Sequence, residues 1–204
     1  MDAGLLPVKS LHTAKSRLAE SYGESGRRAL AVALLRDAFE LMSSTDFLAW
    51  WVVSDDGDVL ADATTRGFHA VRDPGTGLND ALQAGIEAIV RSGADSVTVV
   101  PADVPLAWAG DLRDLIDTGA TSDVVVVPSG DGGTNGLYLS PPTVMTPAFG
   151  PDSFRAHLSA AADLRLRCSI LSLARLELDI DSAADVDALK TRPRRAHSHT
   201  MDAV

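Results

Sequence analysis

The residue types that handle phosphate gather in this sequence just after its short apolar runs. Leu5 to Val8 is followed by Lys9-Ser10-Leu11-His12-Thr13-Ala14-Lys15-Ser16-Arg17. Lys9, Lys15 and Arg17 could together hold the polyphosphate of a nucleotide, Arg17 in two-pronged fashion. A run of cations is otherwise a solvated face, but its place beside an apolar run in an acidic chain favours the phosphate reading. After Val97 to Val100 comes Pro101-Ala102-Asp103-Val104-Pro105. A carboxylate stiffened by prolines at the tip of a buried strand suits a hard cation such as magnesium. Further on, Asp179-Ile180-Asp181 puts two carboxylates on one side of an extended segment. Asp181 also stands where it could cap a helix beginning near Ala183.

Other segments suit anions or sugars. Pro128-Ser129-Gly130-Asp131-Gly132-Gly133-Thr134-Asn135-Gly136 lies between the apolar runs Val124 to Val127 and Leu137 to Leu139. It reads as a hairpin turn, or as a concavity of backbone N–H groups for a phosphate or carboxylate. Asp73-Pro74-Gly75-Thr76-Gly77-Leu78-Asn79 runs into a helix, and Asn79 could recognise a base edge or ribose or simply cap that helix. Phe149-Gly150-Pro151-Asp152-Ser153-Phe154 opens another helix, whose N-terminus and Ser153 hydroxyl would attract a small anion. His157, one turn on, reads as ordinary surface and stays outside the catalytic set.

These loops need a scaffold, and the apolar pattern supplies one. Strand-length runs at Leu5 to Val8, Leu48 to Val53, Phe68 to Val71, Val97 to Val100 and Val124 to Val127 alternate with helical stretches at Arg27 to Met42, Asn79 to Val90 and Gly110 to Ile116. That rhythm predicts an α/β fold: a single-domain three-layer sandwich around a mostly parallel sheet, Rossmann-like, with ligands beyond the carboxyl ends of the strands. The 204-residue length suits one domain, here residues 1–190, and the polar stretch 191–204 reads as a disordered tail. Eighteen basic against 28 acidic residues, a formal charge of −10, argue against nucleic acid and anionic membrane as partners. No apolar run is long enough to span a bilayer, and no leader pattern opens the chain, so a cytoplasmic protein is expected. The single cysteine, Cys168, cannot form an internal disulfide and reads as core. A homodimer is compatible with the sequence, and nothing in it demands one.

Taken in order, Pro-Val-Lys with Ala-Lys-Ser-Arg-Leu, Leu-Asn before a helix, Pro-Ala-Asp-Val-Pro-Leu, Gly-Gly-Thr-Asn, Phe-Gly-Pro-Asp-Ser-Phe and Asp-Ile-Asp-Ser resemble the guanylyltransferases of coenzyme F-420 biosynthesis. Those enzymes join GTP to phosphoenolpyruvate or 2-phospho-L-lactate on a nucleotide-diphospho-sugar transferase-like fold, shared with molybdenum-cofactor guanylyltransferases. The resemblance covers about Leu5 to Leu189 and implies Lys15 and Arg17 at the nucleotide phosphates. It also implies magnesium on Asp103, Asp179 and Asp181, and Thr134, Gly150 and Ser153 around the phosphorylated three-carbon acid. Guanine is inherited from the resemblance, and the Phe-Gly-Pro-Asp-Ser segment leans towards phosphoenolpyruvate. The sequence departs from the family where Ser-Ala-Ala follows Asp-Ile-Asp in place of the frequent Thr-Pro, which touches the cap of the last helix.

The chemistry fits the residues. A phosphate monoester has a second pKa of about 6, so it is largely ionised near neutrality and needs no general base to attack the α-phosphorus of GTP. Lys15 and Arg17 would steady the departing pyrophosphate, and Asp103, Asp179 and Asp181 would position the metal between the two phosphates. Two other readings remain at this point. One is a molybdenum-cofactor nucleotidyltransferase, disfavoured because the first loop is lysine-rich and lacks a Gly-Gly turn. The other is a regulatory module that binds a nucleotide without turnover, since Asp55, Asp56 and Asp103 resemble the acidic cluster of a receiver domain.

Overall fold

The computed structural model describes residues 1–193 and 198–204. Seven strands form one sheet in the order β3-β2-β1-β4-β6-β5-β7. They are β1 (Asp2–Val8), β2 (Ala49–Ser54), β3 (His69–Arg72), β4 (Ser96–Val99), β5 (Val124–Pro128), β6 (Thr134–Leu139) and β7 (Cys168–Ile170). Only β6 runs antiparallel, to β4 on one side and β5 on the other. The expected mostly parallel sheet is therefore present.

Side-chain alternation in the strands sorts the core into two layers. Leu6, Val8, Trp50, Val52, Val125 and Val127 face one way. They are covered by α1 (Ala19–Ser43), α2 (Gly57–Thr65) and α4 (Ala109–Gly119). Leu5, Trp51, Val53, Val97, Val124 and Val126 face the other way, under α3 (Leu78–Arg91) and α5 (Ser153–Asp163). The four consecutive valines of β5 are all buried because both of its faces are covered. The helix α3 crosses β1 at Gly85, where a Cβ would lie 2.6 Å from Leu5 Cδ1, so a larger residue would have to displace the buried Leu5 side chain.

Helix α1 begins earlier than the Arg27 start expected from periodicity. Its helical geometry is interrupted at Gly23 (φ 65°, ψ 173°), and the turn before that break carries no periodic apolar stripe to announce it. A smaller cluster, including Leu18, Leu30, Leu34, Ile180, Val186 and Leu189, packs α6 (Ala183–Lys190) beside α1.

Two further expectations change. Cys168 is exposed, not core: β7 is a three-residue strand at the open edge of the sheet, with Ile170 exposed beside it. The tail was expected to be disordered, yet residues 199–202 form α7 (His199–Asp202) against α1. The buried Asp37 carboxylate on α1 accepts the Ser198 hydroxyl at 2.9 Å and the His199 and Thr200 backbone N–H groups at 2.7 and 3.0 Å. Residues 194–197 of that expected tail lie outside the described residues. Among the described residues no helix is long and apolar enough to cross a membrane.

Candidate active site

From β1 the chain builds outwards through β2 and β3, and β4 then inserts on the other side of β1. Strand order reverses there, and loops leaving the carboxyl ends of two such neighbours must diverge and leave a crevice. A cavity of about 530 Å³ opens at this point, lined by Lys9, Lys15, Arg17, Asp103, Thr134, Gly150, Ser153, Asp179 and Asp181. Sequence-expected residues from the two ends of the chain are thus brought together. Asn79 does not line the cavity. Its amide clasps the far wall, Oδ1 accepting the Phe149 N–H at 2.8 Å and Nδ2 donating to the Phe149 carbonyl at 3.0 Å.

The loop after β1 is held from both sides. Asp55 accepts the Ser10 N–H at 3.0 Å, and Asp56 accepts the Leu11 N–H at 3.2 Å while capping α2. Burial opposes the Asp56 charge, but these N–H groups and the Ser10 hydroxyl outweigh it and hold its pKa below the usual carboxylate range. Both carboxylates are bound to loop backbone and neither joins Asp103, so the receiver-like cluster does not form. From the other side the buried Arg27 guanidinium donates to the Leu11, His12 and Ala14 carbonyls. The sequence reading missed Arg27: its partners lie a full loop upstream, and nothing in the helical pattern marks it as inward.

Lys15 follows in the left-handed conformation at φ 60°, which a non-glycine residue adopts at a cost of about 1–2 kcal/mol. That backbone turns its ammonium onto Asp103 Oδ2 and onto Asp181 Oδ1, the latter at 2.6 Å. Burial alone would lower the Lys15 pKa; the Asp103 and Asp181 carboxylates overcome this and raise it. Arg17, on the next turn, is exposed at the cavity edge, and Lys9 is exposed on the same rim.

The carboxylates converge because the Ile180 N–H donates to the Asp103 carbonyl at 3.0 Å, which ties the 179–181 segment to the loop after β4. Carboxylate oxygens of Asp103, Asp179 and Asp181 lie within 4.8 Å of one another. Asp179 accepts from the buried Asn135 Nδ2 at 3.1 Å. Its pKa is raised, first by burial and then by Asp103 and Asp131 nearby, and the Asn135 bond only partly offsets this. Asp103 Oδ1 is buried without a hydrogen-bond partner among the described residues. A buried carboxylate oxygen left bare in this way is suited to a cation. Asp181 does not cap α6. Ser182 does, in a reciprocal pair with Asp185, and Asp181 is left to face the cavity.

The glycine-rich segment is the β5–β6 hairpin turn, and its N–H groups are largely spent inside the protein. Asp131 accepts the Gly133 N–H at 3.0 Å, and the Gly130 N–H reaches the Glu177 carbonyl at 2.9 Å. Ser129, Asp131, Gly133, Thr134 and Asn135 of this segment line the cavity, with Thr134 at the start of β6. Across from it Gly150 (φ 135°) needs glycine's freedom and turns the chain into α5, whose Ser153 hydroxyl donates to Thr134 Oγ1 at 3.2 Å. His157, expected at the surface, is fully buried behind this pair. Its Nδ1 lies 3.0 Å from Thr134 Oγ1, and its Nε2 accepts the Ala148 N–H at 2.9 Å.

Comparison with known proteins bears on the family and the fold. Residues 3–199 match the family described as guanylyl transferase CofC like. The chain is 34% identical to phosphoenolpyruvate guanylyltransferase of Rubrobacter xylanophilus over 200 residues, 94% of this chain and 98% of the relative. It is 32% identical to 2-phospho-L-lactate guanylyltransferase of Methanothermobacter thermautotrophicus, over 95% of this chain and 86% of that one. A solved structure from Desulfovibrio desulfuricans G20, described as a nucleotide-diphospho-sugar transferase, superposes with a TM-score of 0.83 at 16% identity, covering 99% of this chain and 93% of the other. That likeness shows the fold alone. The chain belongs to the guanylyl transferase CofC-like family.

Proposed function

We propose that this protein transfers GMP from GTP to the phosphate of phosphoenolpyruvate, with release of pyrophosphate, as a cytoplasmic step in coenzyme F-420 biosynthesis. The observation that carries the reading is one cavity holding phosphate-binding cations and three convergent carboxylates on one wall and the Thr134–Ser153 hydroxyls on the other. Family membership and the named relatives support the same reaction, with 2-phospho-L-lactate as the alternative acceptor.

In this reading a non-bridging oxygen of the acid's phosphate forms a bond to the α-phosphorus of GTP, and the bond from that phosphorus to the β-phosphate's bridging oxygen breaks. The departing pyrophosphate carries away the electron pair. The nucleophile is already ionised near neutrality, so no residue has to remove a proton. Lys15 and Arg17 neutralise the nucleotide phosphates, and Arg27 and Asp56 hold their loop in place. Thr134, Gly150 and Ser153 seat the acid. Asp103, Asp179 and Asp181 would hold magnesium, and the bare Asp103 Oδ1 is the atom that argues for it. Bound there, magnesium would supply charge neutralisation and in-line positioning of the phosphates.

The test is pyrophosphate release from GTP and magnesium with phosphoenolpyruvate, 2-phospho-L-lactate or 3-phosphoglycerate, with ATP as control. Release that requires GTP and phosphoenolpyruvate supports the reading; release with 2-phospho-L-lactate alone reassigns the acceptor. No release with any acid from folded protein rejects the transferase reading.

A further inference from the structure

The buried histidine behind the acid-binding wall has a fixed protonation pattern. The Ala148 backbone N–H can only donate, and it donates to His157 Nε2 at 2.9 Å, so Nε2 carries no hydrogen. The same bond excludes the doubly protonated imidazolium, and burial agrees, pushing the His157 pKa down to about 4. The single ring hydrogen therefore sits on Nδ1, 3.0 Å from Thr134 Oγ1. Thr134 Oγ1 accepts this bond and a second from the Ser153 hydroxyl at 3.2 Å. A hydroxyl oxygen with both lone pairs engaged has only its own hydrogen left to offer. Thr134 is 4% exposed, lines the cavity, and its hydrogen meets no acceptor among the described residues.

We propose that His157 is a positioning residue which, as the Nδ1-protonated neutral tautomer, forces Thr134 to present a hydrogen-bond donor to the acceptor substrate and thereby selects an acid with an anionic oxygen at that point. The inference rests on the guanylyl-transfer reading for its substrate and on geometry alone for its tautomer. Were the ring hydrogen on Nε2, Thr134 could donate to Nδ1 instead and would turn a lone pair towards the ligand, which an anion would be repelled by. The orientation of one buried hydroxyl thus sets the sign of the acid site. The second contact, from Nε2 to Ala148, offers a competing and purely structural role: holding the loop before Gly150.

Two isosteres separate these roles. His157→Asn keeps an amide donor near the Nδ1 position, whereas His157→Gln keeps an acceptor near the Nε2 position. With a charged ligand at stake, His157→Gln should raise KM for the acid about tenfold or more, while KM for GTP stays within about twofold and His157→Asn largely restores the acid KM. The reverse ranking, with Gln active and Asn impaired, would assign His157 to loop support and overturn the proposal. So would equal losses in KM for both substrates. The independent readout is long-range imidazole ¹H–¹⁵N NMR of the ligand-free wild-type protein, which must show protonated Nδ1 and bare Nε2 near neutral pH. The opposite tautomer overturns the proposal even if the variants fail to fold. If wild-type protein turns over no acid, the transferase reading fails by itself; if it is active and His157→Gln matches it, this inference alone fails.

Discussion

At the scale of single residues the site is a problem of crowded charge. Three carboxylates converge, and Lys15 answers two of them with its ammonium. Replacing Asp103 by Asn removes the carboxylate on which the bare oxygen sits, and turnover should fall by at least about 100-fold, the order lost with one fixed charge-stabilising group. Steady-state pyrophosphate release checks this, with circular dichroism to show that the variant is folded. Lys15→Met should be as inactive but should bind magnesium at least as tightly as wild type, because the ammonium that competes for Asp103 and Asp181 has gone; calorimetric titration reads the difference. His157 gives a pH prediction. Its ring stays neutral in the folded protein until about pH 4 but takes a proton near pH 6.5 when unfolded. Between those values the unfolded chain binds more protons, so stability falls as pH falls through the window, by about 3 kcal/mol at most. Urea unfolding of wild type and His157→Gln at several pH values isolates this contribution, since the carboxylates are common to both. The stability gap between the two proteins should narrow steadily from pH 6.5 to pH 4.

At the scale of elements, function depends on loops whose shape is set from outside them. Arg27 on α1 satisfies carbonyls of Leu11, His12 and Ala14 in the loop that carries Lys15. Arg27→Ala would strand those groups in a partly buried setting, costing about 1–3 kcal/mol of stability and weakening GTP binding more than acid binding. Thermal melts together with separate KM values for the two substrates check it. The strand runs, the helix faces and the loops that meet at the cavity are legible in the sequence, because apolar periodicity and clustered Lys, Asp, Gly and Pro residues are local signals. Arg27 and His157 were not legible as structural groups. Each is a polar residue on an ordinary helix, and each is buried only because distant backbone or a distant hydroxyl, Thr134 in the case of His157, receives it. The hairpin illustrates the converse: its glycines suggested an anion cradle, yet Asp131 in the turn itself takes up the Gly133 N–H.

At the scale of the whole molecule, the reversal of strand order between β1 and β4 explains why residues as far apart in sequence as Lys15 and Asp181 meet. Residues 198–204 pack on the body and none of them lines the cavity, the His199 and Thr200 N–H groups and the Ser198 hydroxyl satisfying Asp37. Deleting residues 198–204 should lower stability by about 1–3 kcal/mol while leaving kcat at 25 °C near that of wild type. A large loss of kcat in the folded truncation would show that the tail reaches the cavity. The central claim concerns which bond is made, and ³¹P NMR of GTP, magnesium and phosphoenolpyruvate with enzyme reads it directly. The expected result is free pyrophosphate together with a new pair of mutually coupled phosphorus signals, from a diester anhydride joining GMP to the acid's phosphate. Loss of GTP to GDP and phosphate, or to GMP without that coupled pair, would contradict the assignment.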